Sequence, residues 1–263
     1  MNFLDETKLE NLFKEWSQRM LDNGDTCLDE KDNAVFVKDG LLFKNTISNE
    51  QIVKKWCCSP KRILFLLKDQ HQFGNKKWSE DIRFWLKDIE TDKDEDLKRK
   101  RRNRDLGNRF MKHIGYILWG LSKADEQNDW KYNEVIKHQN EVKEFFNTQP
   151  FAVVECKKYP GDGKLDDIVL KRHLNNYGDL VKREIEILKP NMIVCTSTLI
   201  YDFIINNYPQ EELVCIEGHN SIRFHPQSET ILLCSYHPSA FGKNAGKKNY
   251  DSVMNHYRAF LKR

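Results

Sequence analysis

Apolar residues along this chain follow two rhythms. Leu9, Leu12, Phe13, Trp16 and Met20 recur at helical spacing, which predicts an amphipathic helix over roughly the first twenty residues, ended by Asn23-Gly24. A mixed segment follows, with Ala34-Val35-Phe36-Val37 and a turn at Asp39-Gly40. The second rhythm is the continuous apolar run. Residues 62–67, 151–156, 192–195 and 230–234 are apolar on both faces, as in the middle of a parallel sheet covered by helices. Between them the pattern predicts helices around Ile82 to Ile89, Leu106 to Leu121, Val135 to Phe146, 165–188 and 199–206. A short strand is predicted at 213–216 and a last helix at 250–261, packing Val253, Tyr257 and Phe260. Strands alternating with helices of this length predict an α/β protein, a three-layer α/β/α sandwich with a mostly parallel central sheet. The expected organisation is a single α/β domain over 1–263, with 1–58 a helical and mixed extension packed on a 59–263 core.

Composition narrows the chemistry only a little. The chain has 263 residues and a formal net charge of +3, so attraction to an anionic partner depends on where the charges sit. A cluster at Lys98-Arg99-Lys100-Arg101-Arg102 reads either as a solvated segment or as a phosphate-contacting patch. No apolar run approaches the roughly 20 residues of a membrane span, and the first residues lack a signal-peptide pattern. A cytoplasmic monomer with no membrane partner is expected. Of seven cysteines, Cys156, Cys195, Cys215 and Cys234 fall in β-like apolar runs and read as core residues. Adjacent Cys57-Cys58 and isolated Cys27 suit no zinc or cluster spacing. No metal and no cofactor are expected.

Ligand sites in parallel α/β sheets lie at the carboxyl ends of the strands. That rule selects three segments, Lys68 to Asn75, Glu155 to Gly163 and Tyr236 to Gly246, which should meet at one edge. In the last, Pro238 fixes its own φ and restricts His237 to extended conformations, so the imidazole is presented from a stiff turn. Asp69 can position a water, stabilise a positive charge or cap a turn. Glu155 ends an otherwise apolar strand, where an unpaired carboxylate is expensive to bury, and so needs Lys157, Lys158 or a ligand. Lys157 and Lys158, with Gly161 and Gly163, have the ingredients of a phosphate clamp. Ser239, Lys243, Lys247 and Lys248 are further phosphate candidates.

The order of these elements resembles the uracil-DNA glycosylase superfamily. The resemblance spans about residues 60 to 263 and rests on His237-Pro238-Ser239, with Leu66-Leu67-Lys68-Asp69-Gln70-His71 and Val154-Glu155-Cys156-Lys157-Lys158 as supports. It implies a glycosylase-like fold and DNA as partner. By position, Asp69 or its neighbour Lys68 would handle the attacking water, Glu155 would read the base, and His237 would hydrogen-bond the base and stabilise the leaving anion. Gln70 and Phe73 would lie against the base, with Phe73, Trp78 or Phe84 as the stacking ring. The chain departs from the family in lacking Gly and Pro around the first carboxylate and in having Glu155 where asparagine is usual. Ionised glutamate offers only acceptors, which predicts a modified or amino-bearing base rather than uracil; a protonated Glu155 would donate to a carbonyl instead.

Two other functions fit the same residues. Val154-Glu155-Cys156-Lys157 is a Glu-x-Lys on a strand, as in metal-dependent nucleases, but no upstream Asp is convincingly placed for it. A nucleic-acid-binding module of the same fold, without turnover, is the other.

Overall fold

A computed structural model describes residues 4–44, 48–72, 77–86, 106–161, 165–208, 210–240 and 242–263. Along the chain lie α1 (Glu6–Asp22), β1 (Val37–Lys38), β2 (Gly40–Leu42), α2 (Asn49–Cys58), β3 (Ile63–His71) and β4 (Glu80–Asp81). Then come α3 (Arg109–Lys123), α4 (Tyr132–Val135), α5 (Gln139–Thr148), β5 (Phe151–Gly161), α6 (Asp167–Leu188) and β6 (Met192–Cys195). The last are α7 (Thr198–Ile205), β7 (Val214–Ile216), β8 (His219–His225), β9 (Thr230–Cys234) and α8 (Ala245–Leu261). Short 3-10 turns occupy Ile82–Phe84 and Gln210–Glu212.

Seven strands form one sheet in the order β2-β5-β3-β6-β9-β8-β7. The four apolar runs make its parallel centre, and β2, β8 and β7 extend it antiparallel at the two edges. Within that centre β3 is first in the chain. The next strand, β5, lies on one side of it, and β6 and β9 lie on the other. The connections after β3 and β6 therefore leave in opposite directions, which opens a crevice outside their carboxyl ends.

Side-chain alternation divides the core between the two faces. Phe65, Leu67, Val153, Val194 and Leu233 pack under Ile114, Ile117, Phe146, Tyr250 and Val253. Leu64, Leu66, Val154, Ile193 and Leu232 pack under Leu12, Trp16, Tyr177, Leu180 and Ile200. The sheet thus carries α3, α5 and α8 on one side and α1, α6 and α7 on the other. The first 58 residues are more than an extension: α1 seals one face, and β2 pairs with β5 through Gly40↔Val153 and Leu42↔Phe151.

Several boundaries differ from the sequence reading, each for a physical reason. The polar stretches after Leu67 and Cys156 are strand rather than loop, because they pair with each other through Leu67↔Glu155 and Asp69↔Lys157. A bulge follows, so that His71 faces Gly161. The helix expected at 135–146 is two, α4 and α5. The last helix starts five residues early, after Asn244 in the left-handed region (φ 63°). Strand β8 and helix α2 were not expected. The helix expected to carry Ile82 to Ile89 is strand β4 and a 3-10 turn as far as Phe84, and its end, with the basic run at 98–102, lies outside the described residues.

Candidate functional site

The paired ends of β3 and β5 place Asp69, Glu155 and Lys157 on one face. Lys157 Nζ donates to Asp69 Oδ2 (3.0 Å) and to the Tyr159 carbonyl (2.5 Å), and it sits 3.9 Å over the Tyr159 ring. Both charged side chains are nearly out of water, 3% exposed for Lys157 and 7% for Asp69. Burial pushes the Asp69 carboxyl above its ordinary value, and the Lys157 ammonium pulls it back. Lys157 therefore holds a carboxylate instead of reaching a phosphate.

Glycine is required where β5 ends. A Cβ on Gly161 would overlap Asp69 Oδ2. Gly161→Ala is expected to lift Asp69 off Lys157 and, by parting a buried ion pair, to lower the thermal midpoint of unfolding by several degrees; any activity that depends on Asp69 should fall at least tenfold. A steady-state comparison beside a melting curve checks both halves.

Glu155 is 3% exposed. Its N–H donates to Asp39 Oδ2 (2.6 Å), while its own Oε2 is buried with no hydrogen-bond partner. Burial, then the nearby Asp39 and Asp69 carboxylates, hold its carboxyl well above the ordinary range, against the opposing pull of Lys158 and Lys157. That shift favours the protonated form, which offers one donor and one acceptor, over the acceptor-only group expected from an ionised glutamate. Two carboxyls on neighbouring strands thus differ: Asp69 is paired with Lys157, and Glu155 is buried with its carboxyl held well above the ordinary range.

On the opposite face Lys158 is fully buried and donates to Asp39 Oδ1 and Glu184 Oε2 (2.7 Å), with the Trp16 ring 4.6 Å from its ammonium. Asp39 and Glu184 hold it protonated against the cost of burial. The phosphate contact expected of Lys158 is excluded, because its charge is sealed inside the core. Gln70 is also on that face, tied through Nε2 to Glu80 Oε2 (2.6 Å) and turned away from Glu155, so it does not join the group expected to meet a base.

His237 follows β9, two strands or about 10 Å across from β3. Its Nδ1 accepts from the Ser239 N–H (3.2 Å) and faces Ser239 Oγ (2.7 Å). Nδ1 is therefore unprotonated and the ring proton sits on Nε2. Burial, then the Lys68 ammonium, push the imidazole down to about 4, so it is neutral at physiological pH. Lys68 itself pairs with Asp167 Oδ1 (2.6 Å) at the start of α6. It bridges the field between the β3–β5 group and His237. Ser239 fixes the tautomer rather than standing ready for a phosphate, while Lys243 is exposed.

Three residues not picked out from the sequence brace this turn. Asn249 Nδ2 donates to the His237 carbonyl (3.0 Å), His113 Nδ1 donates to the Pro238 carbonyl (2.6 Å), and the Phe110 ring lies 5.9 Å from the imidazole. The signal for Asn249 was a polar residue on an apolar stripe, four before Val253 and eight before Tyr257. His113 breaks the α3 stripe in the same way. Phe110 gave no signal, because it fits the helical pattern as core. It is the aromatic ring beside His237, whereas Trp78 is anchored by its N–H to Gln72 Oε1 (3.0 Å) and Phe84 lies under the Arg83 guanidinium (5.8 Å). Phe73 lies outside the described residues.

Behind Lys157, the Tyr159 hydroxyl meets His173 Nε2 (3.2 Å), and His173 is pushed down to about 4 by burial, against the pull of Asp25. Its folded value lies below the unfolded 6.5. The stability this adds is complete above pH 6.5 and is lost as pH falls towards 4. About 2 kcal/mol should disappear over that window, after allowance for solvent screening. Urea unfolding at pH 7 and 4.5 follows it, and His173→Gln should reduce the difference by the His173 share, leaving that of His237, which is pushed down in the same way.

Among the described residues no group of three or more His, Cys, Asp or Glu is arranged to hold a metal ion. None of their helices is long and apolar enough to cross a membrane. No family model matches the chain, and no curated protein matches its sequence.

Proposed function

We propose that this chain is a DNA glycosylase-like hydrolase that breaks the N-glycosidic bond of a base held out of the stack. The observation that carries the reading is the neutral His237, fixed as its Nε2–H tautomer by Ser239, at the same sheet edge as Asp69, paired with Lys157, and the buried Glu155. A neutral imidazole N–H donates to a base oxygen as negative charge develops there. Asp69 holds the water and stabilises the positive sugar. As the C1′–N bond breaks, its electron pair leaves with the base, and the water oxygen bonds to C1′ while losing its proton towards Asp69. Glu155 as a neutral acid accepts from a ring N–H and donates to the carbonyl beside it. Its preferred partner is therefore a lactam edge, and the amino-bearing edge expected of an ionised glutamate is disfavoured.

The test is mass spectrometry of free bases released from single strands and duplexes carrying a panel of modified bases, in the presence of chelator. Release by the wild type, lost in Asp69→Asn and His237→Ala, supports the reading. If no substrate yields free base and both variants bind DNA as tightly as wild type, the chain is a binding module. One observation favours a second enzyme reading: Asp69, on the strand beside Glu155 and Lys157 and on their face, supplies the acid that a Glu-x-Lys nuclease needs. That reading requires strand scission that chelator abolishes.

A further inference from the structure

The His237-Pro238-Ser239 turn lies between the first turns of two long helices. Phe110 and His113 of α3 touch it from one side, and Asn249 of α8 from the other, while a Cβ on Gly246 of α8 would run into His113 Nε2. Both first turns are devoid of acidic residues. Arg109 and Lys112 are exposed on α3, and Lys243 and Lys248 are exposed at the start of α8; Lys247 beside them is paired with Asp251. Cations at a helix N-terminus oppose the macrodipole, and Lys112 Nζ lies 5.9 Å over the Tyr116 ring. Tyr236, immediately before His237, is 60% exposed, a large ring in water. Beyond Lys68 the edge turns acidic at Asp166 and Asp167, which leaves the α3–α8 side as the approach for a polyanion.

We infer that this face is a track for single-stranded nucleic acid, with Tyr236 stacking on an unpaired base and the cations of α3 and α8 contacting the phosphates on either side. The inference deepens the glycosylase-like reading and rests on it for the choice of nucleic acid among polyanions. Unpaired bases offer free faces to an exposed ring, and duplex DNA does not.

Fluorescence anisotropy with a labelled 20-nucleotide oligo-dT and with a duplex of equal length tests this. The single strand should bind at least tenfold tighter than the duplex, with log Kd depending on log salt at a slope of about 2 to 3, as expected for three or four phosphate contacts. Arg109→Glu with Lys112→Glu, and separately Lys243→Glu with Lys248→Glu, should each weaken binding more than tenfold and lower that slope by about 1.4. Tyr236→Ala should lose about tenfold and Tyr236→Phe should not. Lys54→Glu, on α2 at the opposite edge of the sheet, should change nothing, and matching melting curves exclude unfolding. Equal or tighter duplex binding, or affinity unmoved by the charge reversals, overturns the inference. Absence of base release from a strand bound in this way would sink the glycosylase-like reading and leave the track standing. Base release with no measurable single-strand binding would do the reverse.

Discussion

His237→Ala should lower base release by two to four orders of magnitude while leaving the fold intact. The imidazole sits at the lip of the sheet edge, and the turn is held by its backbone through Asn249 and His113, so removing the ring leaves those bonds in place. On the proposed glycosylase-like reading, what disappears is a donor to the departing base, an effect of about 10² to 10⁴ in rate. Ser239→Ala should cost less, about tenfold, because it removes the hydroxyl at Nδ1 but keeps the backbone N–H that also selects the tautomer. The pH profile carries the sign. With a folded value of about 4, the neutral imidazole persists from pH 8 to about 5, and the limb that belongs to His237 comes only as pH drops through 4. Single-turnover rates from pH 3.5 to 8 decide the matter: a limb near 6.5 would mean that the imidazole titrates as if exposed, and the assigned role would be lost.

The second large effect is on stability. Lys158→Met should destabilise the protein by about 3–5 kcal/mol, because it leaves the buried Asp39 carboxylate without its cation. Combining it with Asp39→Asn and Glu184→Leu should recover most of that loss, since what is costly is the broken group rather than an apolar core. Urea titrations should show the midpoint falling in the single variant and returning in the triple, with the slope unchanged. A cost below about 1 kcal/mol in the single variant would mean that water or another cation reaches Asp39.

Much of the architecture was legible in the apolar runs. The parallel centre followed from four segments rich in β-branched and aliphatic residues, and Met192–Cys195 is strand as its pattern implied. The ends of β3 and β5 were not legible. Lys68-Asp69-Gln70-His71 and Lys157-Lys158 look like loop until each segment is seen to pair with the other, and only tertiary contact makes that pairing worthwhile. Strand β8 was missed because its only regular apolar positions, Ile222 and Phe224, are interrupted by Arg223 and flanked by polar residues. At the site, sequence marked His237, Asp69 and Glu155 through their place at strand ends. It was silent on ionisation, since the state of Glu155 depends on Asp39, a partner 116 residues away.

That last separation sets a timescale. Asp39 and the aromatic face of α1 leave the ribosome long before residue 155, and at about 5–20 residues per second the delay is roughly 6 to 23 seconds. Throughout it Phe13 and Trp16 lack the ammonium they later enclose, and residues 40–42 have no strand to join. The nascent chain spends that interval with the apolar face of α1 uncovered. Covering that face during synthesis should therefore raise the yield of folded protein.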